Sequence, residues 1–147
     1  MIDLRDLYQE VILDHSRHPR NAGRLAEPSG TAKGHNPLCG DMITLDVLVE
    51  DGVIRDVSFD ARGCAISVAA ASIMSDMLKG KTLAETHDLF RRFQEMLTGP
   101  DAEAEGLDKL EVLAGVREFP MRVKCATLPF HTLRAALDNE SGTVKTE

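Results

Sequence analysis

The spacing of apolar positions changes along the chain, and each change marks an element. Leu4, Leu7, Tyr8 and Val11 recur at helical spacing with Ile12 flanking them, and Asp3 is suited to cap the start. Pro19 ends this helix, because the residue before a proline is driven to extended backbone. Residues 19–34 are rich in Pro, Gly, Asn and Ser and read as an irregular loop. From Ile43 the period is two: Ile43, Leu45, Val47 and Val49, then Val53, Val57, Phe59 and Ala61 after Asp51-Gly52. That alternation predicts a β-hairpin. A two-residue loop would set Ile43 against Asp60 and Leu45 against Ser58, which mixes faces. A three-residue loop, 50–52, with Gly52 left-handed sets Val49 against Val53, Leu45 against Val57 and Ile43 against Phe59. This second register keeps one face apolar and is the one expected. Extended to the open end, it places Asp41 opposite Ala61 and Cys39 opposite Gly63, with Cys64 next in line.

After Cys64 the pattern turns helical. Residues 65–78 are rich in Ala, Ser and Met and nearly free of charge, which predicts a buried helix ended by Gly80. Thr82 with Glu85 three residues on forms a capping box for a further helix. Leu83, His87, Phe90 and Leu97 lie roughly on one face of it, with His87 read as packing. Gly99-Pro100 breaks this helix, and 101–106 is an acidic loop. Residues 107–113 read as a short helical turn ending before Gly115, and Pro120 as an interruption. Cys125 is expected to open a last helix with Leu128, Leu133 and Leu137 on its apolar face and Pro129 in its first turn. A helix, a small antiparallel sheet, then helices is an α+β order.

Composition narrows the class. A chain of 147 residues is most simply one domain. It can bury about two-thirds of its unfolded surface without a disulfide or metal staple. Lys plus Arg number 17 against 24 Asp plus Glu, a net charge of -7, which argues against a nucleic-acid partner. No run of apolar residues is long enough for a membrane helix, so no membrane role is expected. Residues 1–6 carry acids and lack the apolar centre of a signal peptide. The body of the domain is expected over 1–138, with 139–147 a polar tail that frays. The cysteines are Cys39, Cys64 and Cys125. Three cannot all pair, which points to a reducing, cytoplasmic setting.

These cysteines are either ordinary core packing or one shared site. Free cysteine is often a small buried hydrophobe. Against that, all three lie at element boundaries beside Gly, Asp, Arg or Lys. Cys64 and Cys125 precede expected helices, where the helix dipole favours a charged sulfur, and Arg122 and Lys124 add positive charge near Cys125. Cys39 sits in the turn Asn36-Pro37-Leu38-Cys39-Gly40-Asp41. Three cysteines and a carboxylate can build a tetrahedral zinc site, and Asp41 is the carboxylate nearest in sequence. The gaps are long and unequal, so tertiary structure would have to hold any metal. His15, His18 and His35 read as polar loop or cap residues. His131, six residues beyond Cys125, is off its helix face. Met74 and Met77 read as core. There is no Gly-rich phosphate loop, no Gly-x-Ser-x-Gly and no catalytic carboxylate pair.

Four segments, in order, carry a resemblance: Asp14-His15 with Pro19-Arg20-Asn21, the Asn36 to Asp41 turn, Gly63-Cys64-Ala65-Ile66-Ser67, and Arg122-Val123-Lys124-Cys125-Ala126-Thr127-Leu128. Together they resemble the IscU/SufU family, also called NifU N-terminal-like, of iron–sulfur cluster assembly proteins. The resemblance implies a compact α+β domain with a three-stranded antiparallel sheet packed by about five to six helices, its third strand near 30–36. Three departures resemble SufU rather than IscU. The Leu-Pro-Pro-Val-Lys chaperone segment is replaced by Phe119-Pro120-Met121-Arg122-Val123-Lys124. Lys124 stands where IscU has a His. A longer stretch, about 89–106, resembles the SufU insertion.

The resemblance further implies zinc held by Cys39, Asp41, Cys64 and Cys125. It implies a sulfurtransferase-type role, with Cys39 accepting persulfide sulfur from a SufS-type PLP cysteine desulfurase after that partner displaces it from the metal. Downstream partners would be Suf-type cluster assembly machinery. Arg122 would tune the thiolates or the docked sulfur. The alternative is a scaffold that assembles a [2Fe–2S] cluster on the same ligands. A purely structural zinc domain is a third reading, against which a site of four Cys or His ligands would be more usual. Candidate docking surfaces are the basic stretch His15 to Arg20 and the acidic loop.

Overall fold

The computed structural model describes residues 4–98, 108–138 and 143–145. Asp3, the break at 99–100 and the acidic loop 101–106 lie outside the described residues. Helix α1 (Leu4–Arg17) stops two residues short of Pro19, as the proline dictates. Strands β1 (Gly30–Asn36), β2 (Asp41–Glu50) and β3 (Val53–Arg62) follow, then α2 (Ala65–Leu78), α3 (Leu83–Thr98), a 3₁₀ helix (Asp108–Glu118), α4 (Pro120–Leu137) and a short strand β4 (Thr143–Lys145). The sheet order is β3-β2-β1-β4. The first three strands are antiparallel neighbours, and β4 pairs parallel to β1. Residues 143–145, expected to fray, therefore extend the sheet. The architecture is α+β: α4 packs across β1 and β2, α2 packs on β3, and α1 lies on α2. No described helix is long and apolar enough to cross a membrane.

The irregular-loop reading of 19–34 fails at its end, where 30–34 belong to β1. The reason is visible on the buried side of that strand: Gly30, Ala32, Gly34 and Asn36 alternate inward. These are small or polar residues, so no apolar alternation announces the strand. Their smallness lets α4 approach. A Cβ on Gly34 would collide with Thr132 Oγ1 and lie 2.9 Å from Leu128 Cδ1.

The hairpin exists, but its register differs from the expected one. Asp51 and Gly52 both have positive φ, 53° and 74°, which is the backbone of a two-residue type I′ loop. Glu50 faces Val53 and Val49 faces Ile54; an irregularity at Leu48/Val49 then shifts the ladder. Beyond it Leu45 pairs with Phe59 and Ile43 with Ala61. The observed register is offset by two residues from the expected one, so each side chain keeps its face. Ile43, Leu45, Val47, Val57 and Phe59 are indeed buried.

The stretch His15 to Arg20, a candidate docking surface by sequence, is tied into the fold at its two ends, while Arg17 and His18 are exposed. His15 is buried, with Nδ1 2.7 Å from Ser72 Oγ. The Arg20 backbone N–H donates to Ser72 Oγ, and its guanidinium pairs with Asp14 at 2.7 Å. Asn21 reaches Ser75 Oγ at 3.0 Å. These bonds clasp the end of α1 to α2.

Three helical expectations need correction. The capping box at α3 forms as expected, with Thr82 N–H donating to Glu85 and Glu85 N–H to Thr82 Oγ1, both at 3.1 Å. The buried face, however, is Thr86, Leu89, Phe93, Met96 and Leu97, and His87 is exposed. The 3₁₀ helix runs through Gly115 to Glu118 rather than ending before it. Helix α4 begins at Pro120, not at Cys125. A proline in the first turn lacks only an N–H that would have been orphaned anyway. Pro120 is thus the start of the helix, and Pro129 lies inside it.

Candidate metal centre

Three parts of the chain meet at one end of the sheet: the turn 37–40 between β1 and β2, the Gly63-Cys64 junction between β3 and α2, and the early turns of α4. Asn36 and Asp41 face each other across the turn. Cys39 is carried on that turn, not on the strand, where Asn36 O accepts from Cys39 N at 3.3 Å and Gly40 N at 2.9 Å. The ladder places Met42 opposite Arg62, so Asp41 lies beside Gly63 rather than Ala61. Gly63 has φ +144°, and a Cβ there would collide with Asp41 Oδ1. Only glycine lets the junction pass this close.

The side chains converge. One ligand atom each from Cys39, Asp41 and Cys125 lies within 4.8 Å of the other two. Asp41 and Cys125 are fully buried, while Cys39 and Cys64 are half-buried. Cys64 adjoins this trio. Its backbone N–H donates to Asp41 Oδ1 at 2.8 Å, and its sulfur caps α2 by accepting from Ser67 N–H at 3.4 Å. The helix-start position expected for Cys64 is therefore present. That expected for Cys125 is not, because five residues of α4 precede it. Burial pushes the Cys125 thiol up, followed by its interactions with Asp41, Cys39 and Cys64. A bound cation would reverse this, since a coordinating thiol is deprotonated outright.

Arg122 stands at the exposed edge, with Nη1 3.9 Å from Cys39 Sγ. Its interaction with Cys125, and then the fields of Cys64, Cys125 and Cys39, strengthen its hold on its proton. Four exposed apolar side chains flank these residues in sequence: Leu38, Met42, Phe119 and Met121. A groove of about 450 Å³, lined by Tyr8, Ile12, Ile66, Val116 and Phe119 among others, opens on the same Arg122. His131 lies elsewhere, 5.3 Å from the ring of Phe90, and burial, then Arg134, lower its pKa.

In the sequence, neither metal-ligand chemistry nor apolar pattern marks Asn36. It is fully buried, and Nδ2 lies 3.3 Å from Asp41 Oδ2 and 3.4 Å from Cys125 Sγ. Its position at the head of the Asn-Pro-Leu-Cys-Gly-Asp motif is the available signal.

The donor set suits a small, thiophilic divalent ion. A tetrahedral zinc with bonds of roughly 2.0–2.3 Å holds its ligands just under about 4 Å apart. A trio already within 4.8 Å needs only a small contraction to meet that. Two thiols with one carboxylate also exclude the all-oxygen preference of magnesium or calcium.

Comparison with known proteins identifies the family. The family model "NifU-like N terminal domain" matches residues 7–128. The "Zinc-dependent sulfurtransferase SufU" of Bacillus subtilis (strain 168) is 37% identical over 141 residues, covering 95% of both chains. The "Iron-sulfur cluster assembly scaffold protein IscU" of Streptococcus pyogenes serotype M1 is 39% identical over 135 residues, covering 91% of this chain and 84% of the relative. Among solved structures, a putative iron–sulfur cluster assembly scaffold protein for the SUF system from Fervidobacterium islandicum AW-1 superposes with a TM-score of 0.83. It is 33% identical, over 92% of this chain and 99% of that one. A family match through the three cysteines, with relatives and a solved fold that span nearly the whole chain, establishes that this protein belongs to the IscU/SufU, NifU N-terminal-like family of iron–sulfur cluster assembly proteins.

Proposed function

We propose that this chain is a zinc-dependent sulfur relay of the SufU type, taking persulfide sulfur from a SufS-type PLP cysteine desulfurase. The observation that carries this reading is the asymmetry of the converging donors. Cys125 and Asp41 are buried, whereas Cys39 rides a turn at the surface with Arg122 beside it. Cys39, Asp41, Cys64 and Cys125 would hold the metal. Zinc supplies thiolate stabilisation without redox chemistry of its own. The reacting thiol is Cys39. Its thiolate attacks the outer sulfur of the desulfurase persulfide, the S–S bond breaks, and the desulfurase cysteine leaves as a thiolate. Cys39 then carries the persulfide, with no net oxidation. Arg122 offsets the negative charge that gathers on these sulfurs. The exposed Leu38, Met42, Phe119 and Met121 suit a partner surface that closes over the reaction.

Two further points support the relay. The Bacillus subtilis relative is described as a zinc-dependent sulfurtransferase, and Lys124 replaces the His that would offer a cluster an extra ligand. The Streptococcus pyogenes relative, described as a scaffold, favours the second reading: a [2Fe–2S] cluster assembled on the same residues and handed to apo-proteins. A desulfurase assay separates the two. With zinc-loaded protein, alanine release should rise and Cys39 should gain 32 Da of sulfur by about one atom per chain. Chelation of zinc or Cys39→Ser should abolish both effects. Undiminished stimulation by Cys39→Ser refutes the relay. Stoichiometric iron and sulfide with visible absorbance in the isolated protein selects the scaffold.

A further inference from the structure

One buried side chain touches two of the expected ligands, Asp41 and Cys125, and is not itself one of them. Asn36 is the last residue of β1 and is fully buried. Its carboxamide divides its work between two halves. Oδ1 accepts from Leu38 N–H at 3.3 Å, which shapes the turn that carries Cys39. Nδ2 lies within reach of Asp41 Oδ2 at 3.3 Å and Cys125 Sγ at 3.4 Å. An NH₂ group has two hydrogens, one for each of these acceptors. The reverse orientation would set a carbonyl oxygen against a carboxylate and a sulfur. The network therefore assigns the amide as written.

We propose that Asn36 is a positioning residue of the centre, whose two N–H donors hold Asp41 and Cys125 as its fixed members while Cys39 is left free to move. Resting on the relay reading above, it names what keeps the site assembled when Cys39 departs. Asp41 is held from two sides, by Asn36 Nδ2 and by Cys64 N–H. Cys125 is held by Asn36 and by a weak contact from Sγ to Met121 O at 3.7 Å. Cys39 Sγ, by contrast, meets Arg122 Nη1 at the longer distance of 3.9 Å. Outer partners that hold a metal ligand typically change metal affinity by about 10–100-fold when removed.

The choice of substitution separates this role from simple turn formation. Asn36→Asp has the same shape and keeps an oxygen for Leu38 N–H, but it removes both donors and adds negative charge. Asn36→Ala removes the oxygen as well. A turn-only role makes Asn36→Asp close to wild type and Asn36→Ala worse. The positioning role makes Asn36→Asp at least as damaging as Asn36→Ala. Zinc affinity is measured by competition with a chromophoric chelator, and the fold by circular dichroism melting of the metal-free chain. The expected result is at least about a tenfold loss of zinc affinity in Asn36→Asp while the chain remains folded. Affinity within about twofold of wild type overturns the proposal. If Asn36→Asp does not fold, Asn36→Ser, neutral and with one donor, is used; an intermediate loss supports the proposal and unchanged affinity overturns it.

A second readout needs no metal. Iodoacetamide labelling of the metal-free chain, mapped by mass spectrometry, compares Cys125 with Cys39. Removing Asn36 by Asn36→Ala should raise labelling of Cys125 relative to Cys39 several-fold. An unchanged ratio overturns the proposal. If wild-type protein binds no zinc and takes up no sulfur, the relay reading fails, and this labelling ratio still decides the role of Asn36.

Discussion

Substituting Gly63 by alanine tests whether the centre depends on backbone passing against backbone. Gly63 has φ +144°, a conformation that side chains rarely adopt. Holding a non-glycine residue in such a region costs about 1–3 kcal/mol. The new Cβ would also stand 2.8 Å from Asp41 Cα and 3.0 Å from its Cγ, and would collide with Oδ1. Asp41 is fully buried and tied to Asn36 and Cys64, so it has little room to yield. Overpacking of this kind adds about 1–3 kcal/mol. The two effects together amount to roughly 2–6 kcal/mol. At about 2–4 °C per kcal/mol for a chain of this size, Tm should fall by roughly 5–20 °C. Gly40→Ala is the matched control: its φ is +74°, yet nothing lies within 4 Å of the added Cβ. It carries strain without collision. Thermal melting of the metal-free chains, followed by circular dichroism, gives the difference, and chelator competition gives the effect on the centre. Gly63→Ala should melt well below Gly40→Ala and bind zinc more weakly. Melting temperatures of the two variants within about 2 °C of each other would refute the steric argument.

Other outcomes follow from the same geometry. Gly34→Ala should cost about 1–3 kcal/mol in a urea titration, because its Cβ meets Thr132 and Leu128 of α4. Adding Thr132→Ala should recover part of the loss, and strict additivity would dismiss the contact. Asp41→Ala strands the Asn36 and Cys64 donors and should weaken zinc binding by more than about tenfold in chelator competition; unchanged retention would remove Asp41 from the centre. The Asp46 carboxyl is raised by burial but lowered more by Arg24, Thr31 and Leu25 N–H, leaving it net below 3.8. A lowered folded-state value adds stability that is present above the unfolded value and lost as pH falls through the folded one. Asp46→Asn should therefore be less stable at neutral pH and lose less between about pH 4 and pH 2; parallel acid unfolding curves would contradict this.

Much of the fold is legible because it depends on near neighbours. The capping box needs only Thr82 and Glu85, and the end of α1 needs only Pro19. The faces of β2 and β3 follow from alternation, which survives a two-residue register error because the pleat repeats every two residues. The register itself is not legible from alternation. The left-handed pair Asp51-Gly52 and the irregularity beyond it compensate for each other, and only the packed ladder reveals that. The start of α4 is ambiguous in the sequence because proline both ends helices and begins them. Its role at 120 is set by what the preceding 3₁₀ helix allows.

The sequence by itself determined which chemistry was available: three cysteines in separate segments, an aspartate two residues from the first, and element boundaries that could bring them near. Tertiary structure decided how they meet. β1 is identifiable only once α4 lies against it, because its inward residues are small to admit that helix rather than apolar to announce the strand. Asn36 matters only once Asp41 and Cys125, 5 and 89 residues away, stand beside it. Local pattern reports what each segment buries. A polar residue that donates to two side chains of other segments contributes nothing to that pattern, and its contacts exist only in the assembled fold.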